Sequence, residues 1–100
     1  MAPLFINSII YTEISIGFNR IIEVENAIKK INIKVLEIPH EALFLAGKVF
    51  LEYRKNKGTK NSTLPDFFIG AHATISSFDL ITRDTARYKT YFPKVNIIYL

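Results

Sequence analysis

A chain of 100 residues, 49% hydrophobic and 13% aromatic, has the length of one domain and enough apolar material to fill a single core. It holds no cysteine, which excludes a disulfide framework and a thiolate metal site. No apolar run approaches the roughly 18 residues that a bilayer span requires, and the formal charge of +4 permits an anionic partner without requiring one.

The opening residues lack the basic start of a signal peptide, and Asn7 and Ser8 break their apolar stretch early. The expectation is therefore a cytoplasmic chain with no membrane partner. Residues 3–7 read as a short buried strand. Over 8–20, Ile10, Ile14, Gly17 and Phe18 recur at helical spacing, and Ile9 and Ile16 widen the apolar surface. This predicts a largely buried helix with Ser8 as its N-cap. A second helix over 21–31 sets Ile21, Val24, Ala27, Ile28 and Ile31 inward, with Glu23, Glu25, Lys29 and Lys30 outward.

Residues 33–38 read as a strand closed by Pro39. Helix 40–55 has the stripe Ala42, Leu45, Ala46, Val49, Phe50 and Tyr53. A loop around Gly58 spans 56–62, and a helix over 64–76 carries Pro65 in its first turn, where the missing donor costs nothing. A strand over 78–82, one or two helical turns over 84–89 and a last strand over 95–99 complete the chain. Apolar strands alternating with helices argue for an α/β domain, 1–100, with a parallel sheet and helices on both faces. In such sheets ligands bind beyond the carboxyl ends of the strands.

Three acids bear on chemistry. Glu13 lies in an apolar helix, where a carboxylate either reaches solvent or a basic partner, or meets a cation. Asp66 follows Thr63 by three residues in the form of a capping box, and gains from the helix dipole. Gly70 and Ala73 on the same face predict a clear trough before it. Asp84 follows an apolar strand and precedes a short helix, so it reads equally as an N-cap. If the three converged, a hard cation such as Mg²⁺ or Mn²⁺ would hold them, generate a hydroxide and stabilise charge on a phosphate. Their spacing along the chain does not decide this. His72 and His40 lack a second nitrogen ligand at metal-site spacing and read as a packed histidine and a cap-region residue.

Thr63-Leu64-Pro65-Asp66-Phe67-Phe68-Ile69-Gly70-Ala71-His72-Ala73 resembles the central motif of PIN-domain proteins of the VapC toxin type. Leu80-Ile81-Thr82-Arg83-Asp84, with Arg87-Tyr88 and Tyr91-Phe92-Pro93, is similar to their second C-terminal motif. Ile9-Ile10-Tyr11-Thr12-Glu13-Ile14-Ser15 is similar to the helix bearing their glutamate. The resemblance implies a PIN-like three-layer α/β fold and a Mg²⁺- or Mn²⁺-dependent endoribonuclease, usually dimeric and silenced by a cognate antitoxin peptide. It makes Glu13, Asp66 and Asp84 the catalytic and metal-site acids and Thr82 a supporting residue. Arg83, Arg87, Lys55, Lys57 and Lys60 are candidate phosphate contacts on charge.

The sequence departs from the family pattern at its start, where no strand ending in aspartate precedes Pro3. The family's first strand lies mid-sheet, so its absence predicts an N-terminally truncated fold, one acid fewer at the metal site, and self-association to cover the exposed edges. Two functions follow: a metal-dependent endoribonuclease hydrolysing RNA with metal-activated water, or a catalytically impaired remnant that binds antitoxin or RNA.

Overall fold

A computed structural model of the chain describes residues 3–56, 58 and 64–99. The elements run β1 (Phe5–Asn7), α1 (Ser8–Ser15), α2 (Ile21–Ile31), β2 (Lys34–Leu36), α3 (His40–Lys55), α4 (Leu64–Ser76), β3 (Leu80–Thr82), α5 (Thr85–Tyr91) and β4 (Ile97–Tyr99). This is the expected alternation of parallel strands and flanking helices. Two compact units divide it, Met1–Glu37 and Ile38–Leu100.

In the first unit β1 pairs with β2 in parallel, Phe5 opposite Lys34, Ile6 opposite Val35 and Asn7 opposite Leu36. Asn7 ends β1 and starts α1, because its buried side-chain oxygen accepts from the backbone N–H groups of Ile9 (3.1 Å) and Ile10 (3.0 Å). The N-cap is thus Asn7, correcting the expectation of Ser8; its carboxamide satisfies two donors that the first turn leaves open.

α1 is also shorter and barer than expected. None of its residues is buried, and it stops at Ser15 instead of reaching residue 20. The last turn tightens as the Ile16 N–H donates to the Glu13 carbonyl (3.3 Å). Seven residues beyond Ile16, the Glu23 carboxylate reaches back to accept from the N–H groups of Asn19 (3.2 Å) and Arg20 (3.0 Å), which fixes the start of α2. Residues 16–20 are thus committed to ending one helix and opening the next, and Ile16 is left 85% exposed.

α2 has the bounds its periodicity predicts. Glu23 stands in its first turn and Lys29 and Lys30 in its last, complementing the helix dipole. Asn32 caps it with φ 60°, a left-handed conformation asparagine tolerates. Ile6, Val24 and Ile28 form the buried core of this unit, with Ile10, Tyr11, Ile14 and Ile33 packed around it. Three buried aliphatic side chains, each contributing about 1.5–3 kcal/mol, make a small core.

The second unit is held by α3 against α4. Ala42, Ala46 and Val49 are its buried α3 stripe, flanked by the half-buried Leu45, Phe50 and Tyr53. Two alanines in that stripe leave room for close helix approach. From α4, Phe67 is fully buried and lies among four rings: Phe50 (6.1 Å between centroids), Tyr53 (5.6 Å), Tyr91 (5.3 Å) and Phe92 (6.0 Å). Edge-on and tilted packing of this kind adds to the apolar burial. One side chain therefore joins α3, α4 and α5.

β3 pairs with β4 in parallel, Leu80 opposite Ile97 and Thr82 opposite Tyr99. Among the described residues the strands form these two separate two-stranded ladders. Each strand is three residues long, shorter than the runs of five or six that hydrophobicity suggests, because each ladder pairs only three positions.

Candidate active site

The carboxyl end of β3 is where an α/β sheet presents its ligands, and Thr82 is the strand's last residue. Its hydroxyl accepts from the backbone N–H of Asp84 (3.1 Å), turning the chain toward α5. Asp84 occupies the N-cap position of α5, yet its side chain makes no capping hydrogen bond, which corrects the reading of Asp84 as a helix cap. Its carboxylate instead faces Arg87, one turn along, at 3.7 Å between Oδ2 and Nη1. That i, i+3 spacing puts the two on one side of the helix.

The same guanidinium nitrogen of Arg87 donates to Oδ2 of Asp66 in the first turn of α4. Two carboxylates 18 positions apart in sequence thus converge on one cation. The packing explains why. Asp66 is followed at once by Phe67, whose burial fixes the start of α4, and Arg87 is followed by Tyr88, 5% exposed. The aromatic cluster holds both helices, and the charged residues ride on it.

The side chains of Arg87, Asp66 and Asp84 are 31%, 27% and 52% exposed, so water screens the cluster. An ion pair so exposed contributes about 0.2–1 kcal/mol. Its consequence is electrostatic: one guanidinium faces two carboxylates, and negative charge is left over.

The trough expected beside Asp66 is not clear. Gly70 lies against the Phe92 ring, so closely that a methyl group there would collide with it. Glycine at 70 is what admits the ring. Gly70 and Ala73 are both buried, so that face of α4 serves the core.

Glu13 belongs to the first unit, on the solvent-exposed side of α1. Arg83 and Lys55 are exposed in the second unit, Lys55 as the last residue of α3. Lys57, Lys60 and Thr63 lie outside the described residues. Arg87, expected as a phosphate contact, is held by carboxylates instead. His72 is packed as expected: it is 6% exposed, its ring 5.7 Å from that of Phe78, and burial holds its pKa below the ordinary value.

Asp66 and Asp84 offer carboxylate oxygens, the donors that Mg²⁺ and Mn²⁺ take. Mg²⁺ is commonly held by one or two carboxylates while retaining several waters. The pair fits such an ion. Among the described residues no group of three or more His, Cys, Asp or Glu side chains forms a ready-made metal cage. No helix among them is long and apolar enough to cross a membrane.

A family model described as PIN domain matches residues 1–93. No curated protein matches the sequence. Among solved structures, the chain is similar to one described as the crystal structure of VapBC2 from Rickettsia felis bound to a DNA fragment from their promoter. The TM-score is 0.70 at 15% identity, over 97% of this chain and 74% of that one. At that identity the likeness is one of fold.

Proposed function

The chain belongs to the PIN-domain family, and from that premise we propose that it is a metal-dependent endoribonuclease of toxin–antitoxin type. The observation that carries this reading is the convergence of Asp66 and Asp84 at the carboxyl end of β3. Asp66 and Asp84 would hold Mg²⁺ or Mn²⁺, with Glu13 as a third acid. The ion, when bound, supplies an activated water and stabilises charge on the scissile phosphate.

The chain's own residues do the rest. Thr82 fixes the turn that presents Asp84. Arg83, with Lys55, Lys57 and Lys60, supplies positive charge for the RNA backbone. The negative charge that Arg87 leaves over on the two carboxylates repels phosphate, so these cations are needed for substrate to approach. The solved neighbour is a VapBC2 assembly, and by analogy a cognate antitoxin peptide is the proposed protein partner. Ile16, Ile21 and Ile31, which are 85%, 73% and 60% exposed, favour self-association, a homodimer or larger. The reading takes the protein to act in the cytoplasm.

A second reading has its own support. Arg87 already compensates Asp66, so the pair is not bare of a cation. A catalytically impaired PIN domain that binds RNA or antitoxin without cutting would have such a site. Asp66→Asn separates the two. In an enzyme it lowers metal-dependent cleavage by two orders of magnitude or more while RNA binding persists. A variant that cuts as fast as the parent would sink the assignment of Asp66.

A further inference from the structure

Arg87 is the one residue of the cluster whose position runs against its expected role. It lies 3.7 Å from Asp84 and is hydrogen-bonded to Asp66, with its side chain 31% exposed. We propose that Arg87 is an internal counter-cation for these carboxylates, exchanged for the divalent ion when the site loads. This rests on the metal-dependent reading above and adds a step to it.

Three observations support the exchange. First, Arg87 and a metal ion would compete for the charge of the same carboxylate, because Asp66 already accepts the guanidinium hydrogen bond through Oδ2. A guanidinium and a divalent cation on one carboxylate repel each other at short range. Second, a single positive charge against two carboxylates leaves negative charge uncompensated, so a divalent ion satisfies the pair better. Third, the movement is confined to a side chain. Tyr88 is buried and Tyr91 packs on Phe67, so α5 is anchored while the half-exposed arginine can turn to solvent.

The exchange accounts for how two carboxylates stay together before an ion arrives. It also frees a forked, permanently charged group beside the site when the ion is in place, the geometry that suits a phosphate. Metal loading and the readiness to bind RNA would then be coupled.

The test uses the full chain without RNA and titrates Mn²⁺, with the free ion followed by electron paramagnetic resonance. Removing the competing cation with Arg87→Gln is expected to tighten Mn²⁺ binding by roughly threefold to tenfold. The same variant should melt earlier than the parent in EDTA and gain more from Mn²⁺. Arg87→Lys keeps the charge but not the fork and should fall between the two; it carries the comparison if Arg87→Gln does not fold. Unchanged or weaker Mn²⁺ binding in both variants would overturn the exchange. Asp66→Asn distinguishes the underlying reading: binding lost there but unmoved by Arg87 changes rejects the exchange alone. Mn²⁺ bound by no form, or equally by Asp66→Asn, rejects the metal reading at this pair.

Discussion

The two units of this chain bury their side chains in different ways. The first, Met1–Glu37, closes over three aliphatic residues, and its helix α1 has no buried residue at all. The second, Ile38–Leu100, closes around the fully buried Phe67, with four rings set about it from α3, α5 and the residue beyond α5. The ion-pair cluster follows that difference. Asp66 and Arg87 are held because each adjoins an anchored aromatic, whereas Glu13 stands exposed on a helix with no buried residue. A carboxylate is positioned by the burial of its neighbours, and in this chain the second unit supplies it.

The largest effect expected from this contrast is in the cores. Phe67→Ala should cost about 3–5 kcal/mol, and Val24→Ala in the first unit about 1–3 kcal/mol. Urea unfolding of both variants would check this, and equal losses would break the comparison. A total stability of about 5–15 kcal/mol for a domain makes the first change close to disabling.

Gly70→Ala comes next. The added methyl group meets the Phe92 ring, and overpacking of this kind costs about 1–3 kcal/mol. A thermal melt no lower than the parent's would mean that the ring moves aside freely. If the account is right, the substitution also loosens Asp66 one turn away, so Mn²⁺ binding should weaken along with the melt.

His72 sharpens the comparison through pH. Burial lowers its pKa from the ordinary 6.5, so the unfolded chain takes up a proton at higher pH than the folded one. The stability held by the neutral imidazole is therefore full above about 6.5. It falls as pH drops from there towards the folded pKa, and levels off below it. Melting temperatures from pH 8 to pH 5 should show this decline, and His72→Gln should remove that part of it. An identical profile in the variant would assign the slope to other groups.

The smallest effect on stability is at Glu13. It is exposed on α1, so Glu13→Gln should change unfolding by no more than about 0.5 kcal/mol. As a proposed third acid it should nevertheless lower metal-dependent cleavage. A variant with both properties unchanged would confine the chemistry to the second unit.

Much of the architecture was legible in the sequence, for reasons that can be named. Helices α2, α3 and α4 have the bounds expected of them, α4 with a proline in its first turn, although Ile21 and Ile31 at the ends of the α2 stripe are exposed. The error at residues 16–20 has a local cause that periodicity does not register, the Glu23 carboxylate reaching back to two backbone donors. The site was legible in part. Asp84 and Arg87 at i, i+3 could have been read as a pair from the sequence, and charge alone assigned Arg87 to phosphate instead. Its bond to Asp66 spans 21 positions and depends on how α4 and α5 pack through Phe67, which only the fold determines. The trough beside Asp66 failed for the same kind of reason: a glycine on a helix face reads as open space until the ring of Phe92 fills it.

The central claim is that the Asp66–Asp84 pair serves a cutting enzyme. Its most direct test is a time course of mixed-RNA cleavage by the purified, folded chain in Mn²⁺ or Mg²⁺, beside the same reaction in EDTA. The account predicts cutting that needs the ion and disappears with EDTA. Intact RNA in the presence of a chain that is folded and has bound Mn²⁺ would contradict it, and would leave the binding module as the better reading.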